Sequence, residues 1–145
     1  MKAMVVGGGG REHAIAWKLS ASRSIEKVYV APGNAGTATE PKVTNIPISS
    51  DDIRALAEFA KNNDIGLTVI GPEKPLVDGI VDRFNEMGLR CLGPTKHAAK
   101  LEGSKAFAKE FMQRYQIPTA RYRAFHSSKD AVEYARKMDP PLVIK

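Results

Sequence analysis

The sequence predicts an α/β protein built on a doubly wound, mainly parallel, Rossmann-like sheet. Three observations carry that prediction. Apolar, strand-like runs recur and each closes on a Gly or Pro turn: "AMVVGG", "KVYVAPG", "TNIPI", "LTVIGPE" and "LRCLGPT". Between most of them lie segments with helical periodicity. The runs are near-continuous in Val, Ile and Leu instead of alternating with polar residues, as expected of strands covered on both faces.

Taken in order, the first strand runs into "VVGGGGREHA", and a helix follows over Glu12–Ala21. The second strand ends in Ala31-Pro32-Gly33-Asn34. The connection from Pro32 to Asn45 lacks helical periodicity and is the exception to the alternation. Helices are then predicted over Asp51–Asn63 and Leu76–Met87, flanking the "LTVIGPE" strand. The pattern changes near Thr95. A short helical stretch breaks at Gly103, and a longer helix follows with Ser104 as N-cap and an apolar stripe of Phe107, Phe111 and Tyr115, read as core. Further strands are predicted at "ARYRAF" and "PPLVIK", separated by a helix from about Ser128 whose "SSKD" start resembles a capping box. Residues 1 to about 95 are accordingly read as one doubly wound domain and the rest as the incomplete beginning of a second, since two strands and two helices make a poor independent core.

Composition narrows the functional classes. With 43% hydrophobic and 26% charged residues the chain is of globular type. No apolar run approaches the roughly 18 residues of a membrane span, and the N-terminus reads directly into a strand, so the expectation is a cytoplasmic protein with no membrane partner. The lone cysteine, Cys91, sits in the apolar "LRCLG" and is expected to be buried and inert. The net charge of +6 resides in the C-terminal part: residues 96–145 hold 11 Lys+Arg against 5 Asp+Glu, while residues 1–95 balance at 11 each. The basic residues there are dispersed at helical spacing, without the runs or aromatic signatures of nucleic-acid readers, so a small anionic ligand is favoured over nucleic acid.

In such sheets ligands bind at the carboxyl ends of the strands. Three loops of that edge are rich in Gly and Pro: "GGGGREH", "APGNAG" and "IGPEKPL". The first is not a dinucleotide fingerprint. Aligning Gly8 and Gly10 with the first two glycines of G-x-G-x-x-G puts His13 at the third; aligning Gly7 and Gly9 puts Glu12 there. The acidic residue expected about 20 positions on is also missing, because the second strand ends in Ala31-Pro32. NAD and FAD are therefore disfavoured, whereas the backbone NH groups of Gly8, Gly9 and Gly10 and the helix N-terminus suit a single phosphate. Arg11 could contact that anion. Glu12 suits the first helical turn and could accept a ribose hydroxyl or an amine; His13 reads as a satisfied, partly buried histidine and Trp17 as core. Asn34 and Glu73 are the other polar groups at this edge. The converging loops point to a phosphorylated, hydroxyl-bearing small molecule. Lys105 opens a helix, where a cation opposes the dipole unless it meets an anion, and Lys145 ends an apolar run. By composition alone both read equally as solvated lysines.

Taken together, "GGGGREHAIAWKL", "VYVAPGNAGTA", "VIGPEKPLVDGIVD", "GPTKHAAKLEGSKAFAKEFM", "IPTARY" and "PLVIK" closely resemble, in order and over practically the whole chain, the phosphoribosylamine–glycine ligase family of ATP-grasp ligases. The resemblance implies an enzyme of de novo purine biosynthesis that joins 5-phosphoribosylamine to glycine through glycyl phosphate, converting ATP to ADP and phosphate. It makes residues 1–100 a pre-ATP-grasp domain binding phosphoribosylamine through Gly8, Gly9, Gly10, Arg11, Glu12, Pro32, Gly33, Asn34, Gly71, Pro72 and Glu73. Residues 101–145 become the start of the ATP-grasp domain, with Lys105 and Lys145 as its phosphate-contacting lysines. The cofactors implied are ATP and Mg²⁺ or Mn²⁺, with metal ligands beyond residue 145, and the intact enzyme is expected to be a monomer. The 145-residue chain alone is expected to form no product. Alternatives are another ATP-grasp ligase of biotin carboxylase type, a Rossmann oxidoreductase and a nucleic-acid-binding module.

Overall fold

A computed structural model describes residues 1–144. The chain forms two compact units, Met1–Gly103 and Ser104–Lys145.

The first unit is a sheet of five parallel strands: β1 (Lys2–Gly7), β2 (Lys27–Pro32), β3 (Val43–Asn45), β4 (Ile65–Ile70) and β5 (Cys91–Leu92), in the order β3-β2-β1-β4-β5. β1 is central, and its residues from Ala3 to Gly7 are all buried. Successive side chains point to opposite faces. Ala3 and Val5 join Val28, Val30, Ile25 and Ala16, under α1 (Gly10–Ser20). Met4 and Val6 join Leu56, Ala57 and Ala60 of α2 (Ile53–Asn62), and Ile80, Val81 and Phe84 of α4 (Ile80–Glu86). The unbroken apolar runs are thus what a doubly covered parallel sheet requires, at roughly 1.5–3 kcal/mol for each large aliphatic side chain buried.

One helix differs from the sequence reading for an identifiable reason. The helix expected over Leu76–Met87 is two helices, α3 (Glu73–Asp78) and α4, divided at Gly79. Gly79 is left-handed with φ 99°, and its NH closes the last turn of α3 on Leu76 and Pro75. The β2–β3 connection holds only a 3₁₀ turn over Thr37–Thr39, in keeping with its lack of periodicity. α2 starts where Asp52 caps it, its carboxylate accepting the Ala55 NH at 3.0 Å. The first unit ends with α5 (Lys96–Gly103), whose first NH is capped by Asp82 at 2.7 Å. Trp17, expected in the core, is instead 55% exposed on the outer side of α1.

Cys91 is partly buried, and desolvation pushes its thiol up to about 12. It should therefore resist iodoacetamide at about pH 8 in the folded protein and react only on unfolding, because the thiolate is the nucleophile. Labelling of the folded chain at the rate of a free thiol would contradict this.

The second unit contains α6 (Lys105–Arg114) and α7 (Ser128–Ala135). Ser104 caps α6, accepting the Phe107 NH at 3.3 Å, and Ser127 caps α7, accepting the Asp130 NH at 3.4 Å. The strands expected at "ARYRAF" and in the described part of "PPLVIK" do not form. A strand needs a neighbour for its backbone groups, and neither segment has a ladder partner among the described residues. The aromatic stripe of α6 is likewise not a closed core. Phe111 and Tyr115 meet at 4.6 Å between ring centroids, yet Tyr115 is 60% exposed and only Ala108 of this helix is buried.

Candidate functional site

After β1 the chain moves to one side to make β2 and β3, then crosses back to make β4 and β5. The reversal falls between β1 and β4, so their carboxyl ends flank the crevice where open α/β sheets bind ligands. The loops after β1 and β4, with Gly7–Gly10 and Gly71–Glu73, border this crevice, and the loop after β2, with Gly33 and Asn34, lies beside them.

At the centre of the crevice stands Glu12, 4% exposed. It is the third residue of α1, and one carboxylate oxygen accepts the Gly9 NH at 2.7 Å, so the helix start is closed by a side chain reaching back. The other oxygen accepts Arg11 Nε at 2.9 Å. Three of the surrounding glycines make room for this carboxylate. A Cβ on Gly7 would lie 2.6 Å from Glu12 Cγ, one on Gly9 would lie 2.8 Å from Glu12 Oε2, and one on Gly71 would overlap the Glu12 carboxyl group. The glycine turn is thus wrapped around an anion of the chain itself. Each oxygen of Glu12 retains lone-pair capacity for a hydroxyl or amine donor.

Arg11 spans the crevice. Its Nη1 donates to Glu73 Oε1 at 3.3 Å, joining the β1 loop to the β4 loop, while the side chain remains 56% exposed. Hydrogen bonds donated to Glu12 first and Glu73 second hold the guanidinium above its ordinary pKa. Glu73 is held below the usual carboxylate range, first by the backbone NH at the start of α3 and then by Arg11. Both groups are charged at neutral pH.

The third loop is fastened to the first by backbone and side chain. Gly33 NH donates to Gly7 O at 3.2 Å, and Asn34 Nδ2 donates to Gly8 O at 3.0 Å. A Cβ on Gly8 would stand 2.7 Å from Gly33 O, so this glycine permits two backbones to meet. Asn34 is held in turn by Thr37, whose NH donates to Asn34 Oδ1 at 2.9 Å, and by Asn45, whose Nδ2 donates to Asn34 O at 2.8 Å. Thr37 is fully buried. The sequence reading did not single out Thr37 or Asn45. Asn34-x-x-Thr37 has the spacing of a local side-chain-to-backbone turn and could have been flagged, whereas Asn45 is near Asn34 only because β2 and β3 pair.

Of the residues expected at a ligand site, the first unit therefore gathers Gly8, Gly9, Gly10, Arg11, Glu12, Pro32, Gly33, Asn34, Gly71, Pro72 and Glu73 on three adjoining loops. Lys105 is exposed at the first position of α6 in the second unit, and Lys145 lies outside the described residues. Among the described residues no three His, Cys, Asp or Glu side chains cluster as metal ligands.

The family model of the phosphoribosylglycinamide synthetase N domain matches residues 1–102, and that of the ATP-grasp (A) domain of the same synthetase matches residues 103–145. The chain belongs to the phosphoribosylglycinamide synthetase family. Phosphoribosylamine–glycine ligases of Allochromatium vinosum and Escherichia coli K12 are 55% and 54% identical to it over all 145 residues. The chain spans 34% of the length of each. A solved structure of phosphoribosylamine–glycine ligase from Thermotoga maritima superposes with a TM-score of 0.70 at 33% identity, covering 97% of this chain and 32% of that one. The biotin carboxylase domain of a single-chain bacterial carboxylase, at 13% identity and a TM-score of 0.68 over 94% of this chain and 34% of its own, shares the fold. The synthetase relationship agrees with the resemblance carried by the sequence motifs. It also sets the three-loop crevice in the N domain of the synthetase family, and Lys105 in the segment matched by its ATP-grasp domain.

Proposed function

We propose that this chain supplies the phosphoribosylamine-binding crevice and the first part of the ATP-binding region of a phosphoribosylamine–glycine ligase. That enzyme joins 5-phosphoribosylamine and glycine by way of glycyl phosphate, yielding glycinamide ribonucleotide, ADP and phosphate, with ATP and Mg²⁺ or Mn²⁺ as cofactors. The observation that carries the crevice assignment is the Glu12–Arg11–Glu73 bridge across the switch point between β1 and β4. Two carboxylates fit the hydroxyl and amine donors of a ribosylamine, and a guanidinium with an exposed flank fits its phosphate. Gly8, Gly9, Gly10 and Gly33 keep the walls at backbone width. Pro32, Gly71 and Pro72 shape the neighbouring turns, and Asn34 borders the glycine turn.

The roles within the crevice are of binding and orientation. Holding the sugar by its hydroxyls and phosphate fixes the direction in which its amine faces an activated acyl group, which lowers the entropic part of the barrier. Lys105, and Lys145 with it, would hold phosphate oxygens of ATP. ATP supplies the activation of the glycine carboxylate, and positive charge at those lysines offsets the negative charge of the phosphates. The enzyme acts on small molecules, with no nucleic-acid or membrane partner, as a cytoplasmic monomer.

Ribose 5-phosphate should raise the unfolding temperature of the chain, whereas NAD and a DNA oligonucleotide should not. At about 100 times Kd a ligand adds about 2.7 kcal/mol to stability. Stabilisation by NAD alone, or DNA binding that weakens steeply with salt, would replace this reading with a Rossmann or a nucleic-acid one.

A further inference from the structure

His13 has no part in the bridge between Glu12, Arg11 and Glu73, yet it is not a free surface histidine. Its side chain is 32% exposed, and its Nε2 donates to Glu40 Oε1 at 2.8 Å across 27 residues of sequence. Glu40 lies just after the 3₁₀ turn that ends the loop following β2. The ring also rests on the same loop further back. A Cβ on Gly36 would lie 2.5 Å from His13 Cε1 and 2.7 Å from Nδ1, so only glycine lets the backbone approach the imidazole this closely. Gly36 has no left-handed conformation to account for it, and the imidazole is what its missing side chain leaves room for.

Within the loop, Asn34, Thr37 and Asn45 form a closed set of hydrogen bonds that makes residues 34–37 one piece. What sets that piece against the glycine turn is a different group of contacts: Gly33 NH to Gly7 O, Asn34 Nδ2 to Gly8 O, and the His13–Glu40 pair at the far end. The first two act at one end of the loop. His13 acts at the other, from one turn inside α1, a helix whose own start is fixed by Glu12.

We propose that His13 is a positioning residue that fastens the Gly33–Glu40 segment to α1 and thereby holds Asn34 over Gly8 in the crevice. Its consequence for ligand rests on the phosphoribosylamine reading; the fastening itself does not. His13→Ala should lower hydrogen-exchange protection of backbone amides in residues 33–40 about tenfold while leaving the amides of β1 and β4 unchanged. The affinity for ribose 5-phosphate should fall about fivefold in the same variant. His13→Gln, whose Nε2 can take the place of the imidazole Nε2–H, should restore both, and Glu40→Ala should reproduce the alanine phenotype without touching α1. Equal exchange in the wild type and His13→Ala, or failure of Glu40→Ala to mimic it, would overturn the proposal. If exchange responds as expected but the wild-type chain does not bind ribose 5-phosphate, the fastening stands and the substrate reading fails.

Discussion

Gly7→Ala should destabilise the first unit by about 4 kcal/mol, a large share of the 5–15 kcal/mol typical of a domain. Two independent costs combine there. Gly7 ends the central strand at φ 123°, a conformation that costs an L-residue about 1–3 kcal/mol. Its added Cβ would also lie 2.6 Å from Glu12 Cγ and 2.9 Å from Cδ, overpacking worth a further 1–3 kcal/mol or so. Gly71→Ala separates the two, since Gly71 has no positive φ and its Cβ would meet only the Glu12 side chain among the nearest atoms. It should cost about 2 kcal/mol. A cycle with Glu12→Ala then tests the cause. Removing the carboxylate loses the bond to Gly9 NH but also removes the obstruction, so Glu12→Ala with Gly71→Ala should cost at least about 1 kcal/mol less than the sum of the single changes. With Gly7→Ala the relief should be partial, because the backbone strain remains. Urea unfolding followed by circular dichroism measures all five variants. Additive energies for Glu12 and Gly71 would show that the glycine turn is not built around the carboxylate.

Arg11→Ala should weaken ribose 5-phosphate binding by about ten- to a hundredfold, the range of a charge-assisted hydrogen bond worth roughly 1.5–3 kcal/mol. The guanidinium is already oriented by Glu12 and Glu73, at 2.9 and 3.3 Å, so little side-chain entropy is lost when an anion arrives. Stability should change by less than about 1 kcal/mol, because the side chain is more than half exposed and solvent screens its pairs. Arg11→Lys should recover only part of the affinity, since a lysine keeps the charge but not the planar fork. Titration calorimetry against ribose 5-phosphate, with inorganic phosphate in parallel, gives the comparison. Unchanged affinity in Arg11→Ala would remove this residue from the substrate site and with it the phosphate end of the proposed crevice.

Local chemistry determined a great deal of this protein. The parallel sheet follows from apolar runs that are continuous because both faces are covered, and the helix starts at Asp52, Ser104 and Ser127 follow from side chains that cap their own backbone. The three glycine- and proline-rich loops are visible as turns, and the topology brings them to one sheet edge because parallel strands put all their carboxyl ends on the same side. Family membership was also readable from the ordered motifs, which extend over both matched domains.

Other features depend on positions distant in sequence, and only the tertiary structure decided them. The glycine turn packs around a buried carboxylate of the chain itself, because β1 and β4 are neighbours and Gly71 faces Glu12 across 59 positions. The apolar runs "ARYRAF" and "PLVI" have strand composition but no ladder partner among the described residues, and composition cannot supply one. Trp17 has the hydrophobicity of a core residue and yet lies outside, since a helix covering one sheet face buries only the stripe it turns inward. The sequence alone marked the strand-forming runs and turns of the first unit, whereas the division of α3 from α4 at Gly79 and the cap that Asp82 gives α5 were decided by the fold. Which side chains meet in the crevice was decided by strand order, since Arg11, Glu12, Asn34 and Glu73 come together only when β2 and β4 flank β1.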